Sequence, residues 1–97
     1  MATFELIKIK NCRRFYKYCY TLSKPIDNNL LDKLTFFGLV ERTNFSRYSP
    51  SFKDTFKVRL DDQIEINGTI LDRQLYLTVN KEYIYLQDSL ESILNEI

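Results

Sequence analysis

Hydrophobic and polar positions alternate where the chain begins. In FELIKIK, residues 4–10, Phe4, Leu6 or Ile7, and Ile9 stand against Glu5, Lys8 and Lys10, which predicts a strand or an extended arm. Residues 15–22, FYKYCYTL, are rich in aromatics and predict a second strand. Tyr16, Tyr18, Tyr20 and Leu22 take one face, and Phe15, Lys17, Cys19 and Thr21 the other. The period then changes to that of a helix over 27–37. Asp27 is its N-cap, since a carboxylate accepts an orphan amide of the first turn. Ile26 and Leu31 occupy the positions of a hydrophobic staple, and Leu30, Leu31, Leu34 and Phe37 form an apolar stripe. Gly38 can take the left-handed conformation that ends a helix, with Leu39 folding back on Leu34.

Residues 43–55 are polar and aromatic and are interrupted by Pro50, which predicts a long loop. FKVRL, residues 56–60, fits a strand by alternation and a helix by context. Asn67-Gly68 within residues 64–70 is a turn signal. Residues 75–79 and 83–86 read as two strands of a hairpin joined through Asn80, Lys81 and Glu82. An amphipathic helix follows, capped by Asp88 with Glu91 three residues on, as in a capping box. Its stripe is Leu90, Ile93, Leu94 and Ile97. This order predicts an α+β fold: a small antiparallel sheet of about four strands, packed by two helices on one face. A length of 97 residues fits a single domain, 1–97, with a basic arm at 1–14 and an inserted loop at 39–55.

Composition narrows the chemistry. Apolar residues make up 44% of the chain and aromatics 14%, enough for a small core. No apolar window approaches the roughly 18 residues of a membrane span, and no apolar run follows the start, so neither a membrane segment nor a signal peptide is expected. Histidine is absent, which removes the commonest general base near neutral pH. Cys12 and Cys19 alone do not make a zinc site. They read as free thiols of a reducing compartment, with a disulfide between them left open. No nucleophile elbow, phosphate loop or dinucleotide fingerprint occurs. The expectation is a protein that is not an enzyme and has no catalytic residues, metal, cofactor or small-molecule substrate.

Charge is uneven. Residues 1–59 carry twelve Lys/Arg against five Asp/Glu, a balance of +7, and residues 60–97 carry two against eight, a balance of −6. Such a split fits a basic binding surface with an acidic counterweight, and equally a chance clustering on solvated faces.

Two blocks of the chain resemble the eukaryotic-type L twenty-two family of large-subunit ribosomal proteins. The first runs from the strand Tyr18 to Leu22 into Pro25-Ile26-Asp27-Asn28-Asn29-Leu30-Leu31-Asp32, similar to the family's Pro-Val-Glu-Asp-Gly-Ile-Met-Asp segment opening a helix. The second is FKVRLDDQIEING, Phe56 to Gly68, which matches the end of the family's helix at Phe56, Leu60, Ile64, Asn67 and Gly68. Leu77-Thr78-Val79 then resembles the family's following Val-Thr-Val strand. The resemblance spans roughly residues 17–97. The chain departs from it in about a dozen inserted residues near 39–55, in having no glycine-rich turn between Thr69 and Gln74, and in an acidic last helix where the family's is basic. The family's later strands have no counterpart here.

The resemblance implies a structural constituent of the large ribosomal subunit in the cytoplasm, in contact with ribosomal RNA and neighbouring ribosomal proteins. Lys8, Lys10, Arg13, Arg14 and Lys17 would then neutralise phosphates, and Tyr16, with Phe15 and Tyr18, would stack on unpaired bases. Arg42, Arg47, Lys53 and Lys57, with Tyr48 and Arg59, form the second candidate RNA surface, on the inserted loop. The acidic residues 61–96 would face away from RNA. The bland alternative for the arm is a solvated strand edge, where lysines discourage aggregation. The alternative function is a small protein-binding regulatory module that uses its acidic half and an exposed sheet edge, without RNA.

Overall fold

Six strands form one antiparallel sheet in the computed structural model, which describes residues 4–11, 14–44, 47–49, 51, 53–61 and 63–96. They are β1 (Phe4–Asn11), β2 (Phe15–Leu22), β3 (Val40–Thr43), β4 (Thr55–Leu60), β5 (Ile64–Thr69) and β6 (Gln74–Asn80). Their order across the sheet is β1-β2-β6-β5-β4-β3. Helix α1 (Asn28–Leu34) leads from β2 towards the far edge, and α2 (Tyr85–Asn95) follows β6 through a short 3-10 turn, Lys81–Tyr83. The α+β class and the two helices on one face agree with the sequence. The sheet has six strands rather than about four.

Register decides which residues become core. Tyr20 stands opposite Leu75, Tyr18 opposite Leu77, Leu77 opposite Ile66, and Ile66 opposite Val58. Side chains alternate along a strand, so this row faces one way. Leu75, Leu77, Val79, Ile64, Ile66, Phe56 and Val58 are all buried. Leu30, Leu31 and Leu34 of α1 and Leu90 and Leu94 of α2 close over them. Among the described residues no helix lies on the opposite face.

Helix α1 starts as its sequence predicts. Asp27 accepts a hydrogen bond of 3.0 Å from the Leu30 amide, and Ile26 and Leu31 are both buried. Ile26 also anchors the β5–β6 turn. Its amide donates to the Asp72 carbonyl and its carbonyl accepts from the Leu71 amide. The helix ends differently. Thr35 is its C-cap, Phe37 is the residue buried beyond it, and Leu39 is 80% exposed. Gly38 has φ +152, which is not the conformation of a left-handed cap, and a Cβ there would lie 2.9 Å from the Arg59 carbonyl oxygen.

Four further expectations are corrected. Residues 40–43 form edge strand β3, so the long loop is confined to residues 44–54. Residues 56–60 are strand, where the resemblance implies the end of a helix. Asn67-Gly68 lies inside β5, not in a turn. Gly68 is needed because a Cβ there would meet the Gln74 carbonyl oxygen at 3.1 Å and the Phe56 ring at 3.1 Å. Residues 83–86 are not a strand: α2 begins at Tyr85, and Asp88 lies within its first turn instead of capping it. The side-chain cap at this point is Asn80, which accepts from the Glu82 amide and opens the 3-10 turn. Ile97, the last member of the predicted stripe, lies outside the described residues.

Candidate nucleic-acid interface

The uncovered face of the sheet gathers the outward residues of its central strands. In register, Lys17 is opposite Thr78, and Thr78 is opposite Glu65, which is opposite Arg59. One row along, Cys19 is opposite Tyr76, Tyr76 opposite Asn67, Asn67 opposite Lys57, and Lys57 opposite Glu41. Two open grooves lie on this face. One, of about 540 Å³, runs between Phe15, Leu39, Arg59 and Thr78. The other, of about 500 Å³, has Lys57, Asn67 and Tyr76 along it. Glu41 and Glu65 line both. Opposite charges directly across strands, Lys57 with Glu41 and Arg59 with Glu65, each stabilise a sheet by roughly 0.2–1 kcal/mol.

The predicted RNA-contact residues do not come together on one surface. Lys8 and Lys10 lie on edge strand β1, either side of a register shift. Arg14 is exposed at the start of β2, and Arg13 lies outside the described residues. Arg42 is on the opposite edge strand, β3, five strand spacings or about 24 Å away. Its guanidinium Nη1 donates to Oδ1 of Asn28, 2.9 Å away, beside the start of α1. Arg47 and Lys53 are exposed in the loop between β3 and β4. Lys17 and Lys57 share the open face, three strand spacings or about 14 Å apart across the sheet and one row offset along it, and Lys10 of β1 is registered opposite Lys17.

Tyr16 is on the helix side. Alternation sends it to the face opposite Lys17, where it packs against the core. Lys81 Nζ sits 5.0 Å from its ring centroid, a cation–π contact that ties β2 to the 3-10 turn. Tyr18 is also packed against the core. Burial, with Tyr16 and Glu91 nearby, raises its phenol above the ordinary value. Cys19 is a free thiol, buried on the other face, and burial pushes it up as well. Cys12 lies outside the described residues.

The acidic residues divide between two layers. Glu82, Asp88 and Glu96 are exposed on or beside α2, with the helices. Glu65 lies on the open face with Lys17, Lys57 and Arg59, so the expectation that the acidic half faces wholly away from the basic half fails there. Alternation also explains what the charge pattern missed. Tyr76, between the buried Leu75 and Leu77, is 39% exposed on the open face, and its hydroxyl donates to Oε1 of Gln74, 3.1 Å away. The period of two in residues 75–79 was the signal for it.

Among the described residues no helix is long and apolar enough to cross a membrane. No group of three or more Cys, Asp or Glu side chains there is placed to hold a metal ion. No family model matches the chain, and no curated protein or solved structure matches it either.

Proposed function

We propose that this chain is a non-catalytic RNA-binding module, and that its RNA is that of the large ribosomal subunit. The observation that carries the RNA reading is the separation of layers. The acidic helix α2, with Asp88 and Glu96 exposed, lies on one side of the sheet. The uncovered face, with Lys17, Lys57 and Arg59, lies on the other. A polyanion approaching that face meets Lys17, Lys57 and Arg59, interleaved with Glu41 and Glu65, and a half-exposed tyrosine, without passing the acidic helix. Arg47 and Lys53, exposed in the β3–β4 loop, add cationic side chains beyond one edge of the sheet. Binding of this kind falls with salt, with a slope of about one per lost phosphate contact. The ribosomal assignment rests on the resemblance of residues 18–32, whose strand-turn-helix shape fits it. Residues 56–60, a strand, do not.

A second reading is a protein-binding module. It is supported by the exposed apolar side chains Phe36 and Leu39, 69% and 80% exposed, where α1 gives way to edge strand β3. Sedimentation of lysate on a sucrose gradient separates the two readings. The RNA reading expects the protein with the large subunit at low salt and released at high salt. A position at the top of the gradient at low salt, with a salt-insensitive protein complex, favours the second reading.

A further inference from the structure

Resting on that RNA reading, we infer that Tyr76 is a stacking platform for one unpaired base, whose amino edge is read by Glu65 and Asn67. Three features of the groove carry this. Tyr76 is an aromatic of the open face, in the central strand β6 between Asn67 and Cys19, and is 39% exposed. Its hydroxyl is held along the strand by Gln74, so the ring offers a fixed surface. Asn67 is directly opposite it on β5 and Glu65 is two residues along the same face. Both line the groove that Tyr76 lines.

The carboxylates decide which part of a nucleotide fits. Glu41 and Glu65 within the groove repel a phosphate. They accept hydrogen bonds from the exocyclic amino groups that cytosine and adenine carry and uracil lacks, as carboxylates do for cytosine N4. Glu65 is already opposite Arg59, but a carboxylate has about four acceptor positions and can take a second donor. The base therefore lies in the groove with its sugar–phosphate chain outward, where Lys17 stands on β2 and Lys57 on β4. Base–aromatic stacking of this kind is tolerant of sequence, so the preference for amino-bearing bases comes from the carboxylates.

The test is fluorescence anisotropy with labelled single-stranded nine-nucleotide oligo(C) and oligo(U) and an RNA duplex, at low and moderate salt. Tyr76→Ala should weaken oligo(C) binding about tenfold, and Tyr76→Phe should stay within about twofold, since the ring and not the hydroxyl does the stacking. Oligo(C) should bind a few-fold tighter than oligo(U), and Glu65→Ala should remove that difference. Lys17→Gln with Lys57→Gln should weaken all the RNAs alike and lower the salt slope. Circular dichroism melts confirm that each variant folds. RNA binding that Tyr76→Ala leaves unchanged overturns the platform and leaves the RNA reading standing. No binding of any of these RNAs by the wild-type chain overturns the RNA reading itself.

Discussion

The phenol of Tyr20 donates a 2.8 Å hydrogen bond to Oε2 of Glu91, seventy-one residues further along the chain. The phenol oxygen of Tyr20 in turn accepts a 3.0 Å bond from Nε2 of Gln87. Tyr20 is wholly buried, so this pair fastens α2 to β2 from inside the helix–sheet interface. Tyr20→Phe keeps the ring and leaves the Gln87 amide and the Glu91 carboxylate without that partner. It should cost about 1–2 kcal/mol, read as a lowered urea midpoint with an unchanged slope.

The same phenol gives stability a dependence on alkaline pH. Burial is the main cause holding its ionisation well above the ordinary range. Tyr18 and Cys19 are raised too, each first by burial. A group whose ionisation is raised by folding stabilises fully below its unfolded pKa and ceases to do so as pH rises through the folded one. Urea midpoints should therefore be flat near neutrality and fall above about pH 9–10, the unfolded range for thiols and phenols. Tyr20→Phe should flatten part of that fall. A midpoint that rises with alkaline pH would contradict this account of the interface.

Gly68 marks where β5 passes closest to its neighbours. A methyl group there would press on backbone oxygen as well as on the Phe56 ring and, at 3.3 Å, on Ile26 Cδ1. Gly68→Ala should destabilise the fold by about 1–3 kcal/mol, although alanine is otherwise tolerated in strands better than glycine. Thermal melts of the two proteins check it.

The end of α1 gives a paired test. Leu34 is fully buried in the core, and Leu39 is exposed on the far side of Gly38. Leu34→Ala should cost about 2–5 kcal/mol, and Leu39→Ala less than about 0.5 kcal/mol. Equal costs in urea titrations would restore the helix end in which Leu39 folds back on Leu34.

The two halves of the chain were unequally legible. Alternation exposed β1, β2 and β6, because each runs seven or eight residues and the last two bury one face. Asp27 announced α1 because its carboxylate does local work that no tertiary contact overrides. β3 was hidden because it is four residues long and three of them, Glu41, Arg42 and Thr43, are exposed. Asn67-Gly68 misled because glycine serves close packing against Phe56 and Ile26 there, and the turns fall to Asp61 and Leu71, which take positive φ instead. Residues 83–86 looked like a strand because tyrosine and isoleucine favour strands. The helical spacing from Leu86 to Leu90 and on to Leu94 was the stronger signal, and those residues pack on the core. For the site, charge alone picked Lys17 and Lys57 but could not tell that Arg42 turns to Asn28 or that Tyr16 turns to the helices. Those outcomes depend on strand order, which brings β6 between β2 and β5.

The proposed RNA reading requires contact at the uncovered sheet face and none at the helix layer. The most direct test is to titrate single-stranded RNA into isotope-labelled protein and follow the backbone amide signals by NMR. Shifts are expected at Lys17, Lys57, Asn67 and Tyr76, with Asp88, Ser92 and Glu96 of the helix layer unmoved. Shifts confined to α1 and α2, or none at all at RNA concentrations that saturate the anisotropy assay, would contradict it.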